Sequence, residues 1–248
     1  MQESLREKLY RHLRSGGLMA TLLVILKNLH HRMDHAWQRH FDRRFGIETA
    51  GCLTLETLSI DSPNKASGVH YEPTPPQVLR HVFSRLSIQY EDYEFVDFGC
   101  GKGRVLVLAA RYPFKRIIGI EFAPELVEIA RRNMAGYHDE QRRCKDIDIV
   151  LTDAATFEMP TGPAILYLFN PFDASIVRRI AENLARCVEQ HPSTKYVIYY
   201  NPLNESVFGS LSCLEKVAVE RRIFDFSALC FRGYTVFRTR VATEASAS

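Results

Sequence analysis

The stretch Val96-Asp97-Phe98-Gly99-Cys100-Gly101-Lys102-Gly103-Arg104 decides the fold. A short apolar strand, Glu94–Phe98, runs into a glycine-rich turn, and the spacing beyond it predicts a helix over 104–111. Such a turn brings backbone N–H groups close to a ligand at a helix N-terminus. In a doubly wound sheet that crevice is where ligands bind. A dinucleotide turn reads G-x-G-x-x-G. Here Gly99 and Gly101 fit, but the third glycine position is Arg104. The pattern is instead G-x-G-x-G with an acid, Asp97, two residues ahead of it.

Working outward, the alternation continues. Strands are predicted at Arg116–Glu121, Ile147–Leu151, Ala164–Phe169 and Lys195–Tyr200, with helices over 124–133 and 174–188. The last two strands, 214–226 and 230–240, have no helix between them, so Ser227 falls in a hairpin connection. This predicts an α/β, doubly wound, mostly parallel sheet to which the C-terminal hairpin adds an antiparallel strand. Upstream, Tyr71-Glu72-Pro73-Thr74-Pro75-Pro76-Gln77 reads as a loop running into a helix. Thr74 and Gln77 have capping-box spacing, Pro75 falls at the first helical position, and Val78, Leu79, Val82, Phe83 and Leu86 form an apolar face.

Two more acids stand where strands end. Glu121 closes the second strand, 22 residues after Gly99, where a carboxylate can accept both hydroxyls of a ribose. Phe122 offers a flat apolar face to an adenine ring. After the third strand, Thr152-Asp153-Ala154-Ala155 sets a carboxylate where it can accept from the adenine amine. Singly, Asp97 and Glu121 could equally cap helices or end strands. Together, these features resemble the class I, seven-β-strand S-adenosylmethionine (SAM)-dependent methyltransferases over about 71–240. The resemblance implies a Rossmann-like fold with SAM as cofactor. It implies that Asp97 and the backbone of Gly99, Cys100, Gly101 and Gly103 hold the methionine part. Glu121 would hold the ribose, and Phe122, Asp153 and Ala154 the adenine. The Cys100 side chain reads as a small filler.

The fourth strand ends in Leu168-Phe169-Asn170-Pro171-Phe172, at the edge that in this family faces the transferable methyl. Asn170-Pro171-Phe172 resembles a shortened N-P-P-aromatic motif of amine-methylating members. That implies a role for Asn170 towards both cofactor and acceptor. An amide oxygen and a backbone carbonyl accept the hydrogens of an amine and aim its lone pair, and the aromatic face tolerates the cation formed. The competing reading makes Asn170 a helix cap beside Asp173. A second pair, Asn201-Pro202, lies on the same edge and reads as pocket wall or as turn. Tyr71-Glu72-Pro73 resembles the loop that folds over the cofactor in non-SET protein-lysine methyltransferases. Tyr71 and Glu72 are thereby catalytic candidates. Glu72 would orient or deprotonate an ammonium, or else it is a solvated loop acid. No role is assignable to 41–49.

The first 45 residues read differently. Leu18, Leu22, Ile25, Leu29, Met33 and Trp37 recur at helical spacing, opposite Lys27, His31, Asp34 and Gln38. This predicts an amphipathic helix after a shorter one broken at Gly16-Gly17. Its apolar face is expected to pack on the main domain or on a second copy in a homodimer. A membrane-surface or partner helix is the alternative. His31 and His35 are at i, i+4 but lack a companion carboxylate or cysteine in a ligand pattern, so no metal is read. The apolar run 18–26 falls short of the roughly 20 residues that span a bilayer. No small-x-small cleavage site follows it, so no signal peptide is read. The expected parts are a helical extension (1–45), a lead-in loop and helix (46–90), the core (91–240) and a disordered tail (241–248).

Composition sets the remaining limits. With 248 residues, 46% hydrophobic and 25% charged, the chain has a globular balance that excludes collagen-like and low-complexity classes. A net charge of +3 is not the strongly basic footprint of a nucleic-acid binder. Six cysteines without C-x-x-C spacing read as thiols in a reducing, cytoplasmic compartment. The expected activity is methyl transfer to an amine, a protein lysine among the acceptors. The alternatives are a small-molecule O- or N-methyltransferase of a biosynthetic pathway and a non-catalytic SAM-binding scaffold. Arg104 argues against a nicotinamide oxidoreductase. A sulfonium makes the methyl electrophilic, so the protein supplies alignment and a dry cleft without a metal.

Overall fold

The central strands read as unbroken apolar runs because both of their faces are covered. The computed structural model describes residues 22, 25–26, 28–30, 32–53, 71–169, 172–225 and 230–240. Its strands are β1 Glu94–Phe98, β2 Arg116–Glu121, β3 Ile147–Leu151, β4 Ala164–Phe169, β5 Lys195–Tyr200, β6 Leu214–Asp225 and β7 Cys230–Thr239. They form one sheet in the order β3-β2-β1-β4-β5-β7-β6. β1 to β5 are parallel, and β7 runs antiparallel to both β5 and β6. The doubly wound sheet and its closing antiparallel hairpin are as expected from the sequence.

The pleat sorts side chains into two layers. Phe95, Ile165, Tyr167 and Ile198 join the core under α2 (Pro76–Phe83), α3 (Arg104–Ala109) and α4 (Pro124–Gly136). Val96, Leu166, Leu168 and Val197 join the core under α5 (Ala174–Gln190) and α6 (Glu205–Gly209). Strand order reverses between β1 and β4, so their carboxyl ends part and leave a crevice.

Three local expectations change. Pro75 is the N-cap of α2 rather than its first residue, and no side chain caps that helix. The Thr74 hydroxyl lies 3.3 Å from the Tyr167 hydroxyl instead, so the capping box is not formed. The α5 cap is Asp173, whose carboxylate accepts from Ser175 N–H (2.9 Å) and Ile176 N–H (3.2 Å). The capping position is therefore not Asn170. Asn170, Pro171, Ser227, Phe226 and 241–248 lie outside the described residues.

The N-terminal helix does not turn its apolar side to the main domain, one of the two expected packings. Residues 32–45 form α1. Its inward side carries Asp34, Gln38, Phe41, Asp42 and Phe45, all buried. The apolar stripe through Leu22, Ile25, Leu26, Leu29, Met33 and Trp37 is exposed; Leu18, Lys27 and His31 lie outside the described residues. The polar side faces inward because every contact it makes is matched. Asp42 accepts from Thr49 N–H (2.7 Å), Thr49 Oγ1 (2.6 Å) and Ala50 N–H (2.7 Å). Gln38 accepts from Gly51 N–H (2.9 Å) and donates to Asp34 (2.6 Å). Satisfied buried polar groups of this kind cost little and fix one geometry.

Candidate active site

The carboxyl ends of β1, β2, β4 and β5 border a cleft of about 220 Å³. Asp97, Gly99, Gly101 and Glu121 form its floor; Tyr71, Glu72, Thr74, Tyr167, Phe169, Phe172, Asn201 and Arg232 form its walls. Phe122 lines this cleft and also the adjoining slot, where Thr152, Asp153, Ala154, Phe172 and Ile176 meet.

The glycine turn is shaped by backbone conformation and close approach. Gly99, Gly101 and Gly103 have φ of 77°, 54° and 85°, a left-handed region that favours glycine. A Cβ on Gly101 would lie 2.2 Å from Tyr71 Cδ2, so the turn leaves room only for that ring. The amides of its glycines and of Cys100 are already engaged, unlike the open cradle expected from the motif. Gly99 N–H (2.9 Å) and Cys100 N–H (2.8 Å) both donate to the Ile120 carbonyl, and Gly101 N–H donates to Glu121 (3.0 Å). Cys100 fills space: its Sγ would meet a Cβ on Gly119 at 2.9 Å. Burial pushes its thiol well up, so it stays protonated.

The two acids differ. Glu121 is buried and accepts from the amides of Gly101 (3.0 Å), Phe122 (2.9 Å) and Ala123 (2.9 Å). Burial raises its carboxyl, and those three donors oppose the rise. Asp97 is 2% exposed, and its Oδ2 has no hydrogen-bond partner among the described residues. Burial, with Glu121 adding repulsion, pushes the Asp97 carboxyl well above the usual carboxylate range. An unpartnered buried carboxylate is costly. A cationic ligand group beside it removes the cost, and the α-ammonium of SAM has that chemistry. On this ground the cleft fits the cofactor that the motif implies. Asp153 stands at the adjoining slot, where its Oδ1 accepts from Ala155 N–H (2.8 Å).

Tyr71 and Glu72 come to the cleft, but both are engaged. The Tyr71 hydroxyl donates to the Thr49 carbonyl (2.8 Å), and the Lys102 ammonium lies 5.5 Å from its ring. Burial pushes the phenol far up. Tyr71 is thus a fixed wall in place of a proton carrier. Glu72 meets Arg232 in a two-pronged ion pair of 2.8 and 3.2 Å. The Arg232 guanidinium also lies 5.4 Å from the Phe169 ring.

Sequence reasoning missed Arg232 and the use of Arg104. Arg232 stands on β7, 160 residues from its acid, with no local signal. Arg104 donates to Thr49 Oγ1 (2.7 Å), pairs with Asp42 (3.4 Å) and lies 4.8 Å from the Phe41 ring. It bolts α1 to the glycine turn. Asn201 had a signal in its Asn-Pro pair. It is the sole non-glycine residue with positive φ (50°) among the described residues. Its amide donates to the Gly233 carbonyl (2.8 Å). A proline after it makes this backbone more costly still.

Residues 95–190 match the family described as a methyltransferase domain. The chain is 33% identical over 67 residues to a protein-lysine N-methyltransferase of Saccharolobus islandicus, covering 27% of this chain and 41% of that protein. It is 28% identical over 117 residues to the ribosomal protein L11 methyltransferase of Hamiltonella defensa, covering 42% and 37%. It is 32% identical over 96 residues to a trans-aconitate 2-methyltransferase of Methylobacterium nodulans, covering 36% and 33%. The chain thus spans well under half the length of these relatives. Among solved structures, Escherichia coli yhhF superposes with a TM-score of 0.50 at 13% identity, covering 77% of this chain and 99% of that one. That likeness is one of fold.

Proposed function

We propose that residues 95–190, which match the methyltransferase-domain family, act as a class I, SAM-dependent methyltransferase and that the chain methylates an amine, with a protein lysine as acceptor. The observation that carries the reading is the buried Asp97 oxygen, without a hydrogen-bond partner among the described residues, beside Glu121 in one cleft. Asp97 would hold the ammonium of the methionine part, Glu121 the ribose, and Phe122, Asp153 and Ala154 the adenine. When bound, SAM supplies an electrophilic methyl on a sulfonium.

The chain's own residues then do the rest. Asn170 aims the acceptor nitrogen, and Asn201, which lines the cleft, makes a second contact. Glu72 orients the incoming ammonium and receives its proton, with Arg232 fixing the carboxylate. Tyr71 acts by position, closing the turn against water. Phe169 and Phe172 offer aromatic faces to the cationic product. Cys52, Cys100, Cys144, Cys187 and Cys213 are free thiols, which supports a reducing, cytoplasmic setting.

Arg232 favours a second reading, in which a small carboxylic acid is the acceptor and the guanidinium holds it. The test offers labelled SAM with lysine-bearing proteins or with carboxylic acids. Label that enters protein and survives mild base supports the amine. Label lost in base marks an ester and overturns it. Binding of SAM without S-adenosylhomocysteine from any acceptor would leave a scaffold.

A further inference from the structure

The outer face of α1 and of the described helical residues ahead of it (22, 25–26 and 28–30) is built unlike the rest of the surface. Leu22, Ile25, Leu26, Leu29, Met33 and Trp37 are each 44–53% exposed. At helical spacing they fall in one stripe about 120° wide. Beyond Trp37 the same face continues into His40, Arg43 and Arg44, and Arg32 and Arg39 flank it; all five are exposed. The acids Asp34 and Asp42 are both buried, on the core side. Every exposed formal charge on 32–45 is therefore an arginine.

Apolarity and charge together select the partner. A second copy of the chain would bring two arginine-lined faces together. A nucleic acid would satisfy the arginines and leave the stripe in water. An anionic bilayer surface takes both, with apolar side chains at the acyl boundary and guanidinium groups at the phosphates. Trp37 stands at the join of the two parts and stacks on Phe41 (6.3 Å), a suitable place for an interfacial aromatic. No helix among the described residues is long and apolar enough to cross a membrane, so the contact is with the surface. We propose that α1 lies in the interface of an anionic membrane. Its inner side stays with the core: Asp42 and Gln38 hold 49–51, and Thr49 holds Tyr71 and Arg104. The catalytic cleft is thereby carried at a set orientation to the lipid.

The test uses the full chain with vesicles of phosphatidylcholine containing one quarter phosphatidylglycerol, against pure phosphatidylcholine. The chain should sediment with the anionic vesicles, less so at high salt. Trp37 is the chain's single tryptophan, so its emission should shift to the blue on binding. Leu29→Glu with Met33→Glu should abolish sedimentation. Arg39→Gln with Arg43→Gln should weaken it by about thirtyfold. All four residues are exposed, and unchanged melting curves verify the folds. No sedimentation and no Trp37 shift would overturn the proposal, and those readouts need no variant. Binding that persists in Leu29→Glu/Met33→Glu would also overturn it, since charge alone would then suffice. So would a dimer that this double variant dissolves in a chain that ignores vesicles, which would make the face a contact between copies.

Discussion

Replacing Asp97 by asparagine should make the ligand-free protein more stable and the cofactor weaker-binding. The carboxylate is 2% exposed, one of its oxygens has no partner among the described residues, and burial with Glu121 raises its pKa. A folded-state pKa above the ordinary 3.8 means that the native state holds more protons than the unfolded chain just above pH 3.8. Stability therefore falls as pH rises from there through the folded pKa, and the penalty is full beyond it. Removing the charge cancels this penalty. An unpaired buried group costs about 1–3 kcal/mol when neutral and more when charged, so Asp97→Asn, which keeps a polar group there but removes the charge, should gain about 1 kcal/mol at neutral pH. The same change removes a charge-assisted bond to the ligand's ammonium, worth about 1.5–3 kcal/mol, or roughly one to two decades of SAM affinity. Denaturant unfolding across pH measures the first effect, and titration calorimetry with SAM the second. The opposite signs are the signature. A variant that loses stability at neutral pH while keeping its SAM affinity would show that Asp97 is structural and holds no ammonium.

Glu121→Ala should cost both stability and affinity, because three amides lose their acceptor; about 2–4 kcal/mol in urea unfolding and a tenfold or greater loss in SAM binding are expected. Gly101→Ala places a Cβ 2.2 Å from the Tyr71 ring at a φ of 54°, so melting should fall by the equivalent of about 2 kcal/mol or more, with weaker SAM binding alongside. Asn170→Ala should leave unfolding unchanged, since Asp173 supplies the α5 cap, and should slow single-turnover methyl transfer about a hundredfold. Asn201→Gly relieves a positive φ and should raise stability by about 0.5–1 kcal/mol while slowing transfer; a rate equal to wild type would remove Asn201 from the acceptor wall.

What was legible in the sequence was local. Strand–helix alternation, the left-handed glycines and the acids at strand ends are set within a few residues of each other, and the sheet follows from them. What escaped is long-range. Thr74 has the spacing of a cap, yet its hydroxyl meets Tyr167, 93 residues away. The glycine turn has the pattern of an amide cradle, yet its donors go to Ile120 and Glu121 on the next strand. Glu72 looks like a free loop acid, yet β7 returns Arg232 to it.

The N-terminal helix shows the limit most clearly. Periodicity says which residues share a face; it does not say which face turns inward. Hydrophobic burial alone would turn the Leu22–Trp37 side to the core. It is outweighed because Asp42 and Gln38 find Thr49, Ala50, Gly51 and Arg104 in matching positions, with Phe41 and Phe45 supplying the apolar packing. Arg104 is the pivot of that choice. The residue that removes the third glycine of a dinucleotide turn is the one whose guanidinium reaches back 55 positions to Thr49 and 62 to Asp42. Arg104 thus does two things: it breaks the glycine pattern of a dinucleotide turn, and it holds α1 with its apolar stripe outward. Arg104→Leu should undo the second, leaving Asp42 buried without its cation and loosening 32–50 from the core. Proteolysis within that segment should accelerate while the sheet resists, and a segment cut no faster than in wild type would show that the Asp42–Thr49 network holds α1 by itself.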